Sequence, residues 1–141
     1  MSEPVDLLGL YLHLARASRQ RMRPHVADRF LIIAGTIAAR MSLADIAAYC
    51  RQLVLEHNQN HMIRRWATFE DALASDDFLH FLRRQQRRYP QEKAERMLHT
   101  LGIDMARERA TYFNDAEYAA ALLGTTPEAI REFFDDAGCD D

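Results

Sequence analysis

The chain has 141 residues, 48% of them apolar and 28% charged, with five glycines and four prolines. That composition excludes a disordered, collagen-like or low-complexity polymer, and the length suits one hydrophobic core. Net charge is −3, but residues 1–109 carry 17 Arg/Lys against 13 acids whereas residues 110–141 carry Arg131 alone against eight, so the two segments have opposite sign.

Apolar residues recur at helical spacing almost throughout, and neither a period-2 alternation nor an Asn-Gly or Asp-Gly hairpin turn interrupts them. The pattern predicts an all-α protein of about eight helical segments, a compact single-domain bundle or orthogonal array of helices. The segments fall at roughly 5–22, 25–40, 43–57 (reaching toward 66 if that helix runs through), 69–88, 91–101, 104–112, 115–123 and 127–136. Starts are signalled by Pro24 and Pro90 and by capping spacings at Ser42/Asp45, Thr68/Asp71 and Asn114/Glu117. Stops are signalled by Gly102, Gly124 and Gly138. Connections this short favour antiparallel neighbours. One sub-boundary suggests itself near residues 110–114, where the charge changes sign.

The longest apolar run, Phe30–Ala39, is far below the ~20 residues needed to cross a bilayer, so no membrane partner is expected. Two cysteines, Cys50 and Cys139, make no disulfide framework. With no leader-like start, they point to a reducing, cytoplasmic setting. Cys50 falls mid-helix on the apolar face, where a thiol is usually inert packing.

Three constellations could carry chemistry. The first is His57 and His61, spaced i, i+4. On a continuous helix they share a face with Leu43, Ile46, Cys50 and Val54, and such a pair can chelate a metal ion. A zinc site needs three or four protein ligands, however, and the sequence offers no obvious third. Glu95 and His99 flank their apolar stripe on the outward side, and neither His-Glu-x-x-His nor Glu-x-x-His occurs. No cofactor is therefore expected.

The second is cationic. At about 100° per residue, His80, Arg83, Arg84, Arg87 and Arg88 occupy one face of the 69–88 segment, while Phe78, Leu82, Gln85 and Tyr89 occupy the other. Arg16, Arg19 and Arg23 form a second stripe on the first helix. Of the 18 basic residues only Lys93 is lysine, and clustered guanidinium groups suit anions, phosphate included. The acidic segment 114–141 is the nearest internal competitor for that face.

The third is the run 116–135. Ala120, Gly124 and Ile130, with Ala119, Leu123 and Phe133 as packing positions and Thr126-Pro127 opening the second helix, resemble the helix-turn-helix motif. The resemblance covers about 20 residues and implies two helices crossing closely at a tight turn. Contact with DNA is a poorer match, because the second helix presents Glu128, Glu132, Asp135 and Asp136 to a phosphate backbone that rewards cations.

No Gly-rich phosphate loop, Ser-His-Asp arrangement or Cys-x-x-Cys motif is present. The sequence therefore points first to a small intracellular, non-enzymatic interaction or regulatory module with a protein partner. A binder of nucleic acid or a phosphate ligand through the arginine faces comes second. A metal-dependent helical enzyme centred on His57 and His61 comes third.

Overall fold

Pro24 opens its helix at the first-turn position, where a missing N–H costs nothing, and the computed structural model, which describes residues 3–138, places every predicted segment in helix. The first helix, α1 (Pro4–Gln20), starts from a reciprocal cap in which the Glu3 N–H donates to Asp6 and the Glu3 side chain accepts from the Asp6 N–H. It is followed by α2 (Pro24–Arg40) and α3 (Ala44–His57). A 3-10 turn, Met62–Arg65, leads to α4 (Phe69–Leu73), α5 (Asp76–Arg88), α6 (Gln91–Thr100), α7 (Met105–Arg109), α8 (Asp115–Leu122) and α9 (Pro127–Gly138). No strand occurs among the described residues.

Two turns of three residues join α1 to α2 and α2 to α3, and both end their helix on a non-glycine residue in the left-handed region: Met22 at φ 60° and Ser42 at φ 62°. In each, the next N–H reaches back over the helix end, Arg23 to Ser18 O and Leu43 to Ala38 O, satisfying carbonyls that would otherwise be orphaned. Ser42 therefore terminates α2 rather than capping α3, whose N-cap is Leu43 without a side-chain bond. Thr68 and Asn114 cap as expected, accepting from the N–H groups of Asp71 and Glu117.

The segment expected at 69–88 is two helices. Ser75 is extended, at φ −103° and ψ 128°, and α5 restarts with Asp76 and Asp77 in its first turn, where carboxylates complement the helix dipole. The third helix does not run toward residue 66 either. It ends at His57 because Asn58 is extended, at φ −136° and ψ 93°.

Helix α2 is the axis of the molecule, packing against α1, α3, α4 and α5. Phe30, Leu31, Ile32, Ile33, Ala34, Gly35, Thr36 and Ala38 are all buried, so this stretch is apolar all round for want of any solvent face. The one polar group among them, the Thr36 hydroxyl, donates to Ile33 O at 2.7 Å. Helices α6, α7 and α8 lie on α1, while α9 lies on α3 and α8. Among the described residues the acidic C-terminal helices thus pack chiefly on α1 and α3, and α5 packs chiefly on α2 and α4. Among the described residues no helix is long and apolar enough to cross a membrane.

Arg109 on α7 reaches across to the start of α1, donating to Asp6 Oδ1 at 3.0 Å and Glu3 Oε2 at 3.3 Å. In the same contact His13, buried on α1, has Nε2 3.2 Å from Glu108 Oε2 without the alignment of a hydrogen bond. Burial pushes the His13 imidazole below its ordinary range, with Glu108 opposing and Arg16 assisting. Protonation is then easier in the unfolded chain than in the folded one, so His13 leaves stability intact above about pH 6.5 and erodes it as pH falls from there through the folded value. The expected loss approaches about 1.4 kcal/mol per pH unit inside that window at most. Urea melts between pH 7.5 and 5 check it, because in His13→Gln the corresponding slope should flatten; equal slopes would refute the assignment to His13.

Candidate functional site

The chemistry-bearing side chains converge where the start of α2, the end of α3 and the Phe81–Gln85 flank of α5 meet. His25 and Asp28 stand i, i+3 on α2 and so share a face. His57 is the last residue of α3, and the extended Asn58 turns the chain there, its carbonyl accepting from the His61 N–H at 3.1 Å and its side chain from the Asn60 N–H at 3.1 Å.

At the centre is Asp28, only 6% exposed. Its Oδ2 lies 2.5 Å from His57 Nδ1, the one hydrogen bond it makes among the described residues. No Arg or Lys among the described residues forms an ion pair with it. The His25 and His57 rings meet edge to face with centroids 5.1 Å apart. Burial pushes the Asp28 carboxyl up, while the hydrogen bond from His57 and the nearby charges of His57, His61 and His25 pull it down. Ligand atoms of His25, Asp28 and His57 all lie within 4.8 Å of one another.

His61 lies off the helix. Its Nδ1 accepts from the Ile63 N–H at 3.1 Å, capping the 3-10 turn, which leaves Nε2 to carry the proton of the neutral ring. Burial lowers its proton affinity against the pull of Asp28, and its ring packs edge-on against Phe81. The i, i+4 face that the spacing of His57 and His61 offers on a continuous helix is therefore not formed. Both imidazoles flank Asp28 from separate backbone segments.

Two shallow hollows adjoin this cluster on the α5 side. One, of about 230 Å³, is bordered by His25, Asp28, Arg29, Asn58 and His61. The other, of about 360 Å³, is bordered by Arg84 and Arg88, and the two share Phe81 and Gln85 as a wall. Gln85 is 9% exposed, and its Oε1 is buried with no hydrogen-bond partner among the described residues. An acceptor in that state costs about 1–3 kcal/mol.

The five cationic positions of α5, His80, Arg83, Arg84, Arg87 and Arg88, are all exposed. None has a carboxylate within ion-pair distance among the described residues; Arg84 instead stacks over the Phe81 ring at 5.9 Å. The second stripe is not continuous with them. Arg16 and Arg19 border a hollow beside Leu122, Leu123 and Gly124, and Arg23 borders another beside Met97 and Leu101. Sequence spacing missed His25, Asp28 and Gln85, since no local motif links them to His57.

Cys50 is fully buried, and burial pushes its thiol up to about 12, which removes it as a nucleophile at neutral pH. Cys139 lies outside the described residues. Comparison with protein families, with curated proteins and with solved structures finds no match to the chain.

Proposed function

We propose that the protein is a non-enzymatic interaction module that holds an acidic peptide segment of a partner protein against α5. The observation that carries this reading is an exposed face of four arginines, none with a carboxylate within ion-pair distance among the described residues. A single exposed ion pair is worth at most about 1 kcal/mol, so the reading rests on the four guanidinium groups acting together on one ligand. Arginine also presents a planar fork that matches a carboxylate bidentately.

Two features favour a short peptide over a nucleic acid. Helix α5 spans 13 residues, about 20 Å at 1.5 Å per residue, so a long polyanion would outrun the face onto a protein whose net charge is −3. The Gln85 side chain borders the hollow of Arg84 and Arg88, and its Oε1 is buried with no hydrogen-bond partner among the described residues; turned outward it would accept from a peptide N–H, which a phosphodiester does not offer.

Fluorescence anisotropy with a labelled Asp/Glu-rich peptide tests the reading. Affinity should fall at least about tenfold when Arg83, Arg84, Arg87 and Arg88 are changed together to Gln, about 1.4 kcal/mol, and should weaken with salt. Unchanged binding in the variant overturns it. Tighter binding of single-stranded DNA than of the peptide, with a steeper salt slope, would replace it with the nucleic-acid reading.

A further inference from the structure

We propose that His25, Asp28 and His57 form a binding site for a borderline divalent transition metal ion, of which zinc is the representative, with a fourth coordination position left open. Three observations converge on it. The first is geometric: the ligand atoms lie within 4.8 Å of one another, and tetrahedral zinc with bonds of about 2.0–2.2 Å holds its ligands roughly 3.4 Å apart. The carboxylate is buried and fixed, whereas both imidazoles are exposed and can close the remaining distance by side-chain rotation.

The second is charge. Among the described residues this buried carboxylate has an imidazole as its one hydrogen-bonding neighbour and no guanidinium or ammonium ion pair, and desolvating such a charge is costly unless a cation joins it. A metal ion supplies that cation and replaces the proton shared by His57 and Asp28. The third is chemistry. Two imidazole nitrogens and one carboxylate oxygen suit zinc and its neighbours, whereas calcium and magnesium take oxygen ligands. His61 is not a ligand, because its Nδ1 is already engaged by the Ile63 N–H; it borders the site as a neutral ring.

The site stands on two helices with short, well-packed connections, which is the placement that holds ligands accurately. It escapes sequence reading because His25 and Asp28 are separated from His57 by about one helix and a half of chain, and the visible pair, His57 and His61, is a pair in spacing alone.

Full-length protein stripped with a chelator and titrated calorimetrically with zinc, and in parallel with cobalt(II) followed by visible absorption, tests the proposal. One equivalent should bind, and zinc should raise the thermal midpoint. His25→Ala, at an exposed position, should weaken binding at least about 100-fold, since loss of a mere supporting partner already costs 10–100-fold. Asp28→Asn should do the same, with circular dichroism confirming that each variant is folded. His61→Asn, which preserves an acceptor for the Ile63 N–H, should bind zinc within a few-fold of wild type, as should the α5 variant with four glutamines. Absence of saturable binding overturns the proposal. So does stoichiometric binding that survives His25→Ala, or equal loss in His61→Asn.

Discussion

Gly35→Ala is expected to destabilise the protein by about 3 kcal/mol, at the upper end of what overpacking a core does. A Cβ at residue 35 would lie 2.3 Å from Phe69 Cε2 and 2.4 Å from Cζ, well inside contact distance. The ring cannot swing clear. Phe69 is 1% exposed and is backed edge-on by Phe78 at 6.1 Å, whose ring also meets Trp66 and Phe81. The clash therefore passes into α4 and α5 together. For a chain of this size the thermal midpoint should drop by about 10 °C. Phe69→Ala alone should cost about 3–5 kcal/mol through the cavity it leaves. In that background, however, Gly35→Ala should be nearly free, because its methyl group enters space the ring has vacated. A double-mutant cycle in urea should thus yield a coupling above about 1 kcal/mol; strictly additive costs would show that the two residues do not meet.

The second large effect is at the α1–α8 crossing, and here the two substitutions have opposite signs. A Cβ on Gly9 would stand 2.6 Å from the Tyr118 hydroxyl and 3.0 Å from its ring, so Gly9→Ala should destabilise by about 2 kcal/mol. Tyr118 is 1% exposed, and its hydroxyl is buried with no hydrogen-bond partner among the described residues. Burial foremost, with Glu108 and Asp6 nearby, pushes that hydroxyl up to about 12. Tyr118→Phe removes an unsatisfied polar atom and should stabilise by about 1 kcal/mol. It should also soften the Gly9→Ala penalty without abolishing it, since the ring carbons remain close. A Tyr118→Phe variant less stable than wild type in denaturant melts would mean that the hydroxyl has a partner.

The helical frame is legible in the sequence because its signals are local. Apolar periodicity marks the faces, and Pro24, Thr68, Asn114 and Pro127 announce helix starts through their own backbone or side-chain chemistry. Turns built on Met22 and Ser42 carry no glycine, so their left-handed geometry gives no warning, and Ser42 imitates a cap that belongs to no helix. The break at Ser75 is hidden for the same reason: the periodicity of 69–88 is consistent with one helix, and only the renewed acidic first turn at Asp76 and Asp77 betrays the restart. The cationic face of α5 was readable, being a property of one helix. The grouping of His25, Asp28 and His57 was not, because it depends on how α2 and α3 cross, and no short-range rule encodes that.

The all-apolar middle of α2 bears on how the chain reaches its fold. A run such as Phe30–Ala39, rich in isoleucine and without charge, has the makings of a self-associating strand while it is bare. Its cover is local. The helices that cover two of its sides are its immediate neighbours in sequence, tethered by three-residue turns, so closing over it requires short loops and contacts of low sequence separation. α4 and α5, which complete the cover, follow within a few dozen residues. The most hazardous segment of the chain is thus covered by its nearest neighbours in sequence, an arrangement whose low contact order favours early closure.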